Sequence, residues 1–547
     1  MTEGKAPGWI AATLPAGLGV LGAIMVTYTT AWGPWAYSDG VGYLVSARNL
    51  IEGVGLGLIK PSGEFEPLIS HPPLYPLTLA GLMKLGLTEL AAARLIDAAA
   101  FAGLVAGAGW LVGRLTGRLR WGLAASGLLL VMPAIFLLYV AAMAEALFLT
   151  AGTLSLLALA LAIDRGSLPW LIASAALASL AVLARYPGAV YGLLGVAGAA
   201  ACWRGARSRR LATLSYAAIA FLPLVAFLVL SATLRGAGSP RQLIIGRQTE
   251  ASLAALTRQL VGQLWTWKPL PDSGAVRVVL GVAEPMPMLL FIAGVLLLGL
   301  GLLALGLAQR TLRRLPLAQP AAGTRWLGVV SAAFCLLYLA FVAGSYFLTY
   351  PTLDINSRTL LPLAPAFIML GLALLASWTA GPPLGTRWLQ LGASLVLAAS
   401  LAAYLVPTLD MVRGLNRTGS GYTARAWQQS PTIRALQASQ PAGPLISNEP
   451  EAILLYLNRY PHDLNQWLLD RAAQGESLLF GCGDSDLEQL FRQPATRLIL
   501  VSPGGWTGLD EERLARATLT RDTLCAAIEL ASFDDGSLHA SSAPAAP

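Results

Sequence analysis

The sequence predicts an all-α polytopic membrane protein with a small C-terminal α/β soluble domain. Three observations predict it. Of the 547 residues, 56% are hydrophobic and 12% charged, against about 25% charged in soluble globular chains. The apolar residues gather in blocks, and about 20 such residues cross a bilayer as one helix. From Leu409 the composition changes to short strand-like and helix-like runs in alternation. The mean hydropathy of +0.63 agrees with the first two. In lipid each backbone must satisfy its own hydrogen bonds, so the blocks are helices.

The first block runs from about Trp9 to Trp32. It is longer than a signal-peptide core and lacks a strongly basic leader, so it reads as an uncleaved first span. Further spans fall near 90–112, 121–139, 142–163, 168–185, 187–203, 211–234, 286–308, 326–349, 359–378 and 388–408, about eleven in all. Arg114, Arg118 and Arg120 follow span two; Arg204, Arg207, Arg209 and Arg210 follow span six; Arg310, Arg313, Arg314 and Arg325 follow span eight. The positive-inside rule makes that side cytoplasmic. The N-terminus is then cytoplasmic and the C-terminal domain extracytoplasmic. The net charge of +8 is explained by these loops, and no basic face for nucleic acid is visible.

Residues 1–408 therefore form the membrane domain, with long outer loops at 33–89 and 235–285. Residues 41–52 have apolar positions at helical spacing and predict a helix lying on the membrane interface. Residues 72–85 are apolar but short and predict a second interfacial or re-entrant helix. Trp265 and Trp267 read as interface anchors.

The soluble domain covers 409–533. Trp427 to Gln440 reads as a helix. PLISN (444–448), SLLFGC (477–482) and TRLILV (496–501) read as buried strands, followed by helices at 449–457, 484–492 and 510–518. Residues 534–547 are Ser/Ala/Pro-rich and predict a disordered tail. Cys202 and Cys335 lie in or beside apolar blocks and read as packing residues, while Cys482 and Cys525 can pair if the tail is outside.

Ionisable residues at membrane depth are costly, and here they collect at the outer ends of the spans. Asp39 follows span one in AYSDG; it is either a helix cap or a reactive carboxylate. Glu145 sits alone in an apolar hairpin and either faces a partner or complements a helix dipole. His71, in SHPPLYP, suits phosphate or acceptor contact, proton transfer or capping. Arg185 and Tyr186 end span five, and Arg358 precedes span ten. Arginine at such a boundary either snorkels or holds phosphate. Arg241 and Arg247 in the 235–285 loop are further phosphate candidates. Gly53, Gly55 and Gly57 do not follow a strand of a βαβ unit, so they are a turn and not a nucleotide loop. Arg94 and Asp97, three apart on one helix, are expected to pair with each other. Asn416-Arg417-Thr418 has the form of a glycosylation sequon.

Taken together, Asp39 after span one, SHPPLYP at 70–76, AAARL at 91–95, AEALF at 144–148, ARYPG at 184–188 and SRTLLPLAP at 357–365 resemble the GT-C superfamily of membrane glycosyltransferases. The nearest likeness is to protein O-mannosyltransferases and bacterial aminoarabinose transferases. The resemblance covers about 9–410 in layout and is most specific in the first 190 residues. It implies a polyprenyl-phosphate sugar as donor, an acceptor glycan, lipid or protein outside the cytoplasm, and no required cofactor or metal. It gives Asp39 the role of catalytic base and places Glu145 near the acceptor. Arg358, with Arg185 and Arg241, would hold the donor phosphate. His71, Tyr75 and Tyr186 would contact acceptor or donor. Asp39 is followed by Gly40 where protein O-mannosyltransferases carry an acidic pair, and no β-trefoil is inserted between spans. Both departures set a protein acceptor apart from expectation. Alternatives are a secondary transporter, which favours ionisable groups near mid-membrane, and a ligase of lipid-linked oligosaccharides.

Overall fold

The computed structural model describes residues 8–68, 71–203, 205–235, 242–243, 253–265, 267, 321–350, 353–378, 383–474, 480–481, 483–493, 495–501, 524–525 and 527–541. The expected span at 286–308, the expected helix at 510–518, and Arg204, Arg241, Arg247, Arg310, Arg313 and Arg314 lie outside the described residues.

The chain begins with α1 (Gly8–Thr29). The first loop carries α2 (Ser38–Ile51), a hairpin of β1 (Gly57–Ile59) and β2 (Phe65–Pro67), and α3 (Leu74–Lys84). A bundle follows: α4 (Glu89–Thr116), α5 (Leu119–Val131), α6 (Pro133–Leu138), α7 (Glu145–Arg165), α8 (Leu168–Ala184), α9 (Ala189–Cys202) and α10 (Ala206–Arg235). After β3 (Gln242–Leu243) and α11 (Leu253–Trp265) come α12 (Ala322–Leu348), β4 (Thr349–Tyr350), α13 (Ser357–Leu360), α14 (Leu363–Trp378) and α15 (Pro383–Thr418). Among the described residues six helices are long and apolar enough to cross a membrane: α1, α4, α7, α10, α12 and α15. Shorter apolar helices cover the expected spans in α5, α8, α9 and α14.

Two span boundaries differ from expectation. The span expected at 121–139 is broken, because Pro133 lacks the N–H that would continue α5 and instead starts α6. The last span does not end at 408 but runs on to Thr418, so the soluble domain starts about ten residues later.

Short turns at 117–118 and 166–167 make the helices on either side alternate in direction. One end of the bundle carries the described arginines of the basic loops. There Gly323 of α12 meets α4 so closely that a Cβ would lie 2.2 Å from the Leu115 carbonyl. Small residues permit such backbone approach between membrane helices. The opposite end carries the first loop and the C-terminal domain.

The expected interfacial helix at 41–52 forms as α2 but does not lie open to lipid. Its residues from Gly40 to Ala47 are buried. They share one apolar core with Tyr75 and Leu79 of α3 and with Ala452, Leu454 and Leu455 of the C-terminal domain. Covering by that domain, which periodicity does not register, replaces the lipid. α3, with 11 residues, is too short to span, as expected.

The C-terminal domain contains α16 (Arg425–Gln428), α17 (Pro431–Ser439), β5 (Leu445–Ser447), α18 (Pro450–Leu457), β6 (His462–Asp463), α19 (Leu464–Gln474), α20 (Asp486–Phe491), β7 (Arg497–Val501), β8 (Ala527–Phe533) and β9 (Gly536–Ser541). Its sheet has the order β6-β5-β7-β9-β8. β5 runs parallel to β6 and β7, while β9 is antiparallel to β7 and β8. The helix expected from Trp427 to Gln440 is two helices, because Ser430 caps a new one that starts at Pro431. The expected strand at 477–482 is described only in part: Phe480 bridges Leu524, and 477–479 and Cys482 lie outside the described residues.

The disordered tail expected from Asp534 is corrected. Residues 536–541 are a strand, turned back at Asp534–Asp535 before Gly536, with Ser537 and His539 facing inward. Asp-Gly is a hairpin signal that the surrounding small residues obscured. Cys525 is disulfide-bonded, and Cys202 and Cys335 are free.

Candidate active site

A short ribbon of backbone assembles the site. Trp35 pairs in parallel with Ala141, and on its other side Ala36 pairs with Gly421. Trp35 N donates to Val140 O and Ala142 N donates to Trp35 O, each at 2.9 Å. Tyr422 N donates to Ala36 O at 2.9 Å, and Thr423 Oγ1 donates to Pro34 O at 2.8 Å. Asp39 leaves this ribbon three residues after Ala36, and Glu145 four residues after Ala141. The register therefore brings two carboxylates, from the first turns of α2 and α7, to one place.

Asp39 is not the helix cap. Tyr37 holds the N-cap position with extended backbone, and Asp39 lies inside the first turn. There the helix N-terminus favours a negative charge. Its carboxylate is engaged elsewhere: Arg358 Nη2 donates to Asp39 Oδ2 at 2.7 Å.

Arg358 lies in α13, which Asn356 caps by accepting from Thr359 N at 3.1 Å. Tyr338 holds the same turn by donating to Thr359 O at 2.8 Å. Arg358 Nε also donates to Glu145 Oε1 at 2.7 Å. Arg185, in extended conformation just past the end of α8, donates to the same oxygen of Glu145. Glu145 is 1% exposed, against 27% for Asp39 and 29% for Arg358. The buried acid thus holds two arginines, one of which reaches up to an acid that solvent can touch. Glu145 Oε2 is buried and has no hydrogen-bond partner among the described residues.

His71 Nε2 lies 3.7 Å from Asp39 Oδ2, an electrostatic contact and not a hydrogen bond. Burial holds His71 below its usual 6.5, against the pull of Asp39. Burial alone would raise Asp39. The Arg358 hydrogen bond, with the charges of His71, Arg358 and Arg185, outweighs it and holds the carboxyl below 3.8.

Of the other expected residues, Tyr75 is fully buried in α3 and sits edge-on to Tyr43, which sits edge-on to His71. It backs the site and does not line its mouth. Tyr186 is half-buried in the turn after Arg185. Arg241 lies outside the described residues. The expected Arg94–Asp97 pair is not made. Arg94 turns to the carbonyls of Thr30 and Ala31, while Asp97 is fully buried and its carboxylate oxygens have no hydrogen-bond partner. Spacing on a helix allowed the pair, but the end of α1 offered Arg94 uncapped carbonyls.

Sequence reasoning missed Tyr43, which read as one apolar position of an amphipathic run. It also missed Tyr422, Glu449 and Glu451, which the C-terminal domain brings to the start of α2. Glu451 comes close enough to Ser38 and Asp39 for both to act on its carboxyl.

The apolar helices define a multi-pass membrane protein, and the bundle with its first-loop helices has the fold of solved GT-C membrane proteins. ArnT from Cupriavidus metallidurans, solved bound to undecaprenyl phosphate, superposes with a TM-score of 0.51 at 15% identity, over 98% of this chain and 98% of that one. The arabinofuranosyltransferase AftD from Mycobacteria gives a TM-score of 0.55 at 16% identity, over 98% of this chain and 40% of that one. Residues 70–232 match the family model described as Dolichyl-phosphate-mannose-protein mannosyltransferase. That stretch contains His71, Tyr75, Glu145, Arg185 and Tyr186, but neither Asp39 nor Arg358. The search of curated proteins gives no match.

Proposed function

We propose that this protein is a glycosyltransferase that moves a sugar from a polyprenyl-phosphate donor to an acceptor hydroxyl at the outer face of the membrane, with inversion. The observation that carries this reading is the convergence of Asp39, Glu145, Arg185 and Arg358 at the end of the bundle opposite the basic loops. That same convergence weighs against a transporter, whose ionisable groups would be expected near mid-membrane.

A sugar phosphate brings its own leaving group, so the protein must supply a base and neutralise the departing phosphate. Asp39 accepts the acceptor's hydroxyl proton. The freed oxygen attacks the anomeric carbon as its bond to the phosphate oxygen breaks. The electron pair leaves on the polyprenyl phosphate, and Arg358 and Arg185 offset its growing charge. In this scheme the arginines do the work of charge neutralisation, and no metal or cofactor takes part. One displacement needs one base, so Glu145 is not the second member of a retaining pair. It fixes both arginines.

Asp39 bonded to Arg358 is a weak base. The scheme therefore includes a hand-over. The donor phosphate draws Arg358 toward itself, and Asp39, losing its strongest stabilising partner, becomes more basic when its substrate is present.

The test is transfer by the purified, reconstituted protein from a panel of polyprenyl-phosphate sugars, with products read by mass spectrometry. Covalent transfer of one sugar is expected. Uptake of substrate into vesicles with no new glycosidic bond would sink the reading, and transfer of a whole oligosaccharide would make the protein a ligase.

A further inference from the structure

Where it faces the start of α2, the C-terminal domain holds an unusual internal contact. The Tyr422 hydroxyl lies 2.8 Å from Glu449 Oε2 and 3.0 Å from Glu451 Oε2. A phenol has one proton to donate, and an ionised carboxylate only accepts. One phenol proton cannot satisfy two ionised carboxylates. Both contacts are satisfied when one glutamate keeps its proton and donates it to the phenol oxygen, while the phenol donates to the other. The three groups then share two protons and carry one negative charge.

The bridge grips the entry to α2 from both sides. Tyr422 is bonded through its backbone N–H to Ala36. Glu451 lies beside Ser38, the first residue of α2, close enough for that hydroxyl and the Asp39 carboxylate to act on its charge. Asp39 is the next residue. Farther along α2, Arg48 donates to Leu455 O at 3.2 Å and to Glu89 Oε2 at 2.9 Å, so the same helix of the C-terminal domain also fixes the far end of α2.

We propose that Glu451, held by Tyr422 and a protonated Glu449, is a positioning residue that sets the place of Asp39 for the transfer reaction. The proposal rests on the function argued above. Loss of the bridge proton sets two carboxylates of like charge around one phenol, and the repulsion loosens their hold on Tyr422, whose backbone N–H holds Ala36 three residues before Asp39. The charged groups on the elements packed around the bridge are Asp39 and Arg48 on α2, Asp463 on β6 and Arg434 on α17. Arg48 is paired with Glu89, and Arg434 is exposed. Burial, with the negative charges of Glu451 and Asp463, pushes Glu449 up to about 7 against the opposing pull of the Tyr422 hydrogen bond.

The experiment uses the full-length protein in lipid nanodiscs, assayed with the polyprenyl-phosphate sugar that the wild type accepts. Glu451→Ala is expected to lower kcat by about 10- to 100-fold, the scale of an ångström-level misplacement, with the donor KM little changed. Glu451→Gln, which keeps an acceptor for the Tyr422 hydroxyl, is expected to restore most of the loss. Wild-type kcat is expected to fall as pH rises through about 7, and Glu449→Gln, neutral at every pH, to flatten that fall. An infrared difference spectrum between wild type and Glu449→Gln is expected to show a protonated-carboxyl stretch that disappears over the same range. Unchanged kcat in Glu451→Ala, or no such stretch, overturns the proposal. A wild type that transfers no sugar overturns the function and the positioning role together. The infrared band would then still report the bridge proton, which separates the two failures.

Discussion

Arg358 and Asp39 stand 319 positions apart in the chain, yet their side chains meet at 2.7 Å. The arginine arrives just before a late helix and the acid just after the first, and the two neutralise each other at the end of the bundle opposite the basic loops. A cation that can leave one anion for another is suited to receiving a phosphate.

Asp39→Asn removes that anion while keeping the shape. Sugar transfer is expected to drop by about 10²–10⁴-fold, the usual contribution of a general base. Polyprenyl-phosphate binding, measured by titration, is expected to stay or tighten because Arg358 is released. Near wild-type turnover would remove Asp39 from the base role.

Arg358→Ala is expected to weaken binding of polyprenyl phosphate more than binding of acceptor. It should also lower kcat by about 10²–10³-fold, the scale for loss of one donor to developing charge. Unchanged donor affinity would take Arg358 out of the phosphate site.

Glu145→Gln leaves Arg185 and Arg358 facing each other without their shared anion. Breaking a buried ion pair by removing one partner costs about 3–5 kcal/mol. The expected result is a lower unfolding temperature together with lost activity, unlike Asp39→Asn, where the carboxylate is more exposed and the loss of activity should come with a much smaller drop. Equal unfolding temperatures for the two variants would contradict the division of roles.

The pH profile tests the hand-over of Arg358. In the free protein Asp39 is held below 3.8. The stability this brings is present above 3.8 and is lost as pH falls through the lowered value. The acid limb of kcat/KM reports free enzyme and should lie below 3.8. The acid limb of kcat reports the complex and should lie higher, because the phosphate has taken Arg358. Coincident limbs would count against the hand-over.

Gly421→Ala tests the ribbon. Gly421 has φ +63, and a Cβ there would lie 2.5 Å from the Ala36 carbonyl oxygen, which is backbone and cannot swing aside. The substitution is expected to separate the two segments and to reduce transfer more than Gly419→Ala. Gly419 shares the positive φ of +68, but its nearest obstacle is on the C-terminal segment itself, at Ala424. Equal effects would mean that backbone strain alone is responsible.

Much of this was legible in the sequence. Hydropathy marks the spans, and the cost of a lone charge in lipid singles out Glu145 and Arg358. Proline in SHPPLYP and the shortness of 72–85 give α3. The failures have physical causes. Arg94 is drawn from Asp97 by carbonyls at the end of α1, which no spacing rule contains. α2 reads as lipid-facing because its cover, α18, is encoded about 400 residues later. β9 is hidden because a strand of serine, alanine and histidine is held by its neighbours more than by its own propensity. Tyr422, Glu449 and Glu451 carry no motif and acquire meaning only where the domains touch.

The ribbon joining residues 35–36, 140–142 and 421–422 also fixes an order of events during synthesis. Its third segment follows the last membrane helix, so Ala36 waits for its partner until nearly four-fifths of the chain has been made. Before that moment Asp39 hangs from an incomplete support. A growing chain therefore carries its carboxylates and arginines through the insertion machinery as separate, unfinished pieces, and the charged cluster closes only once the final helix is in place.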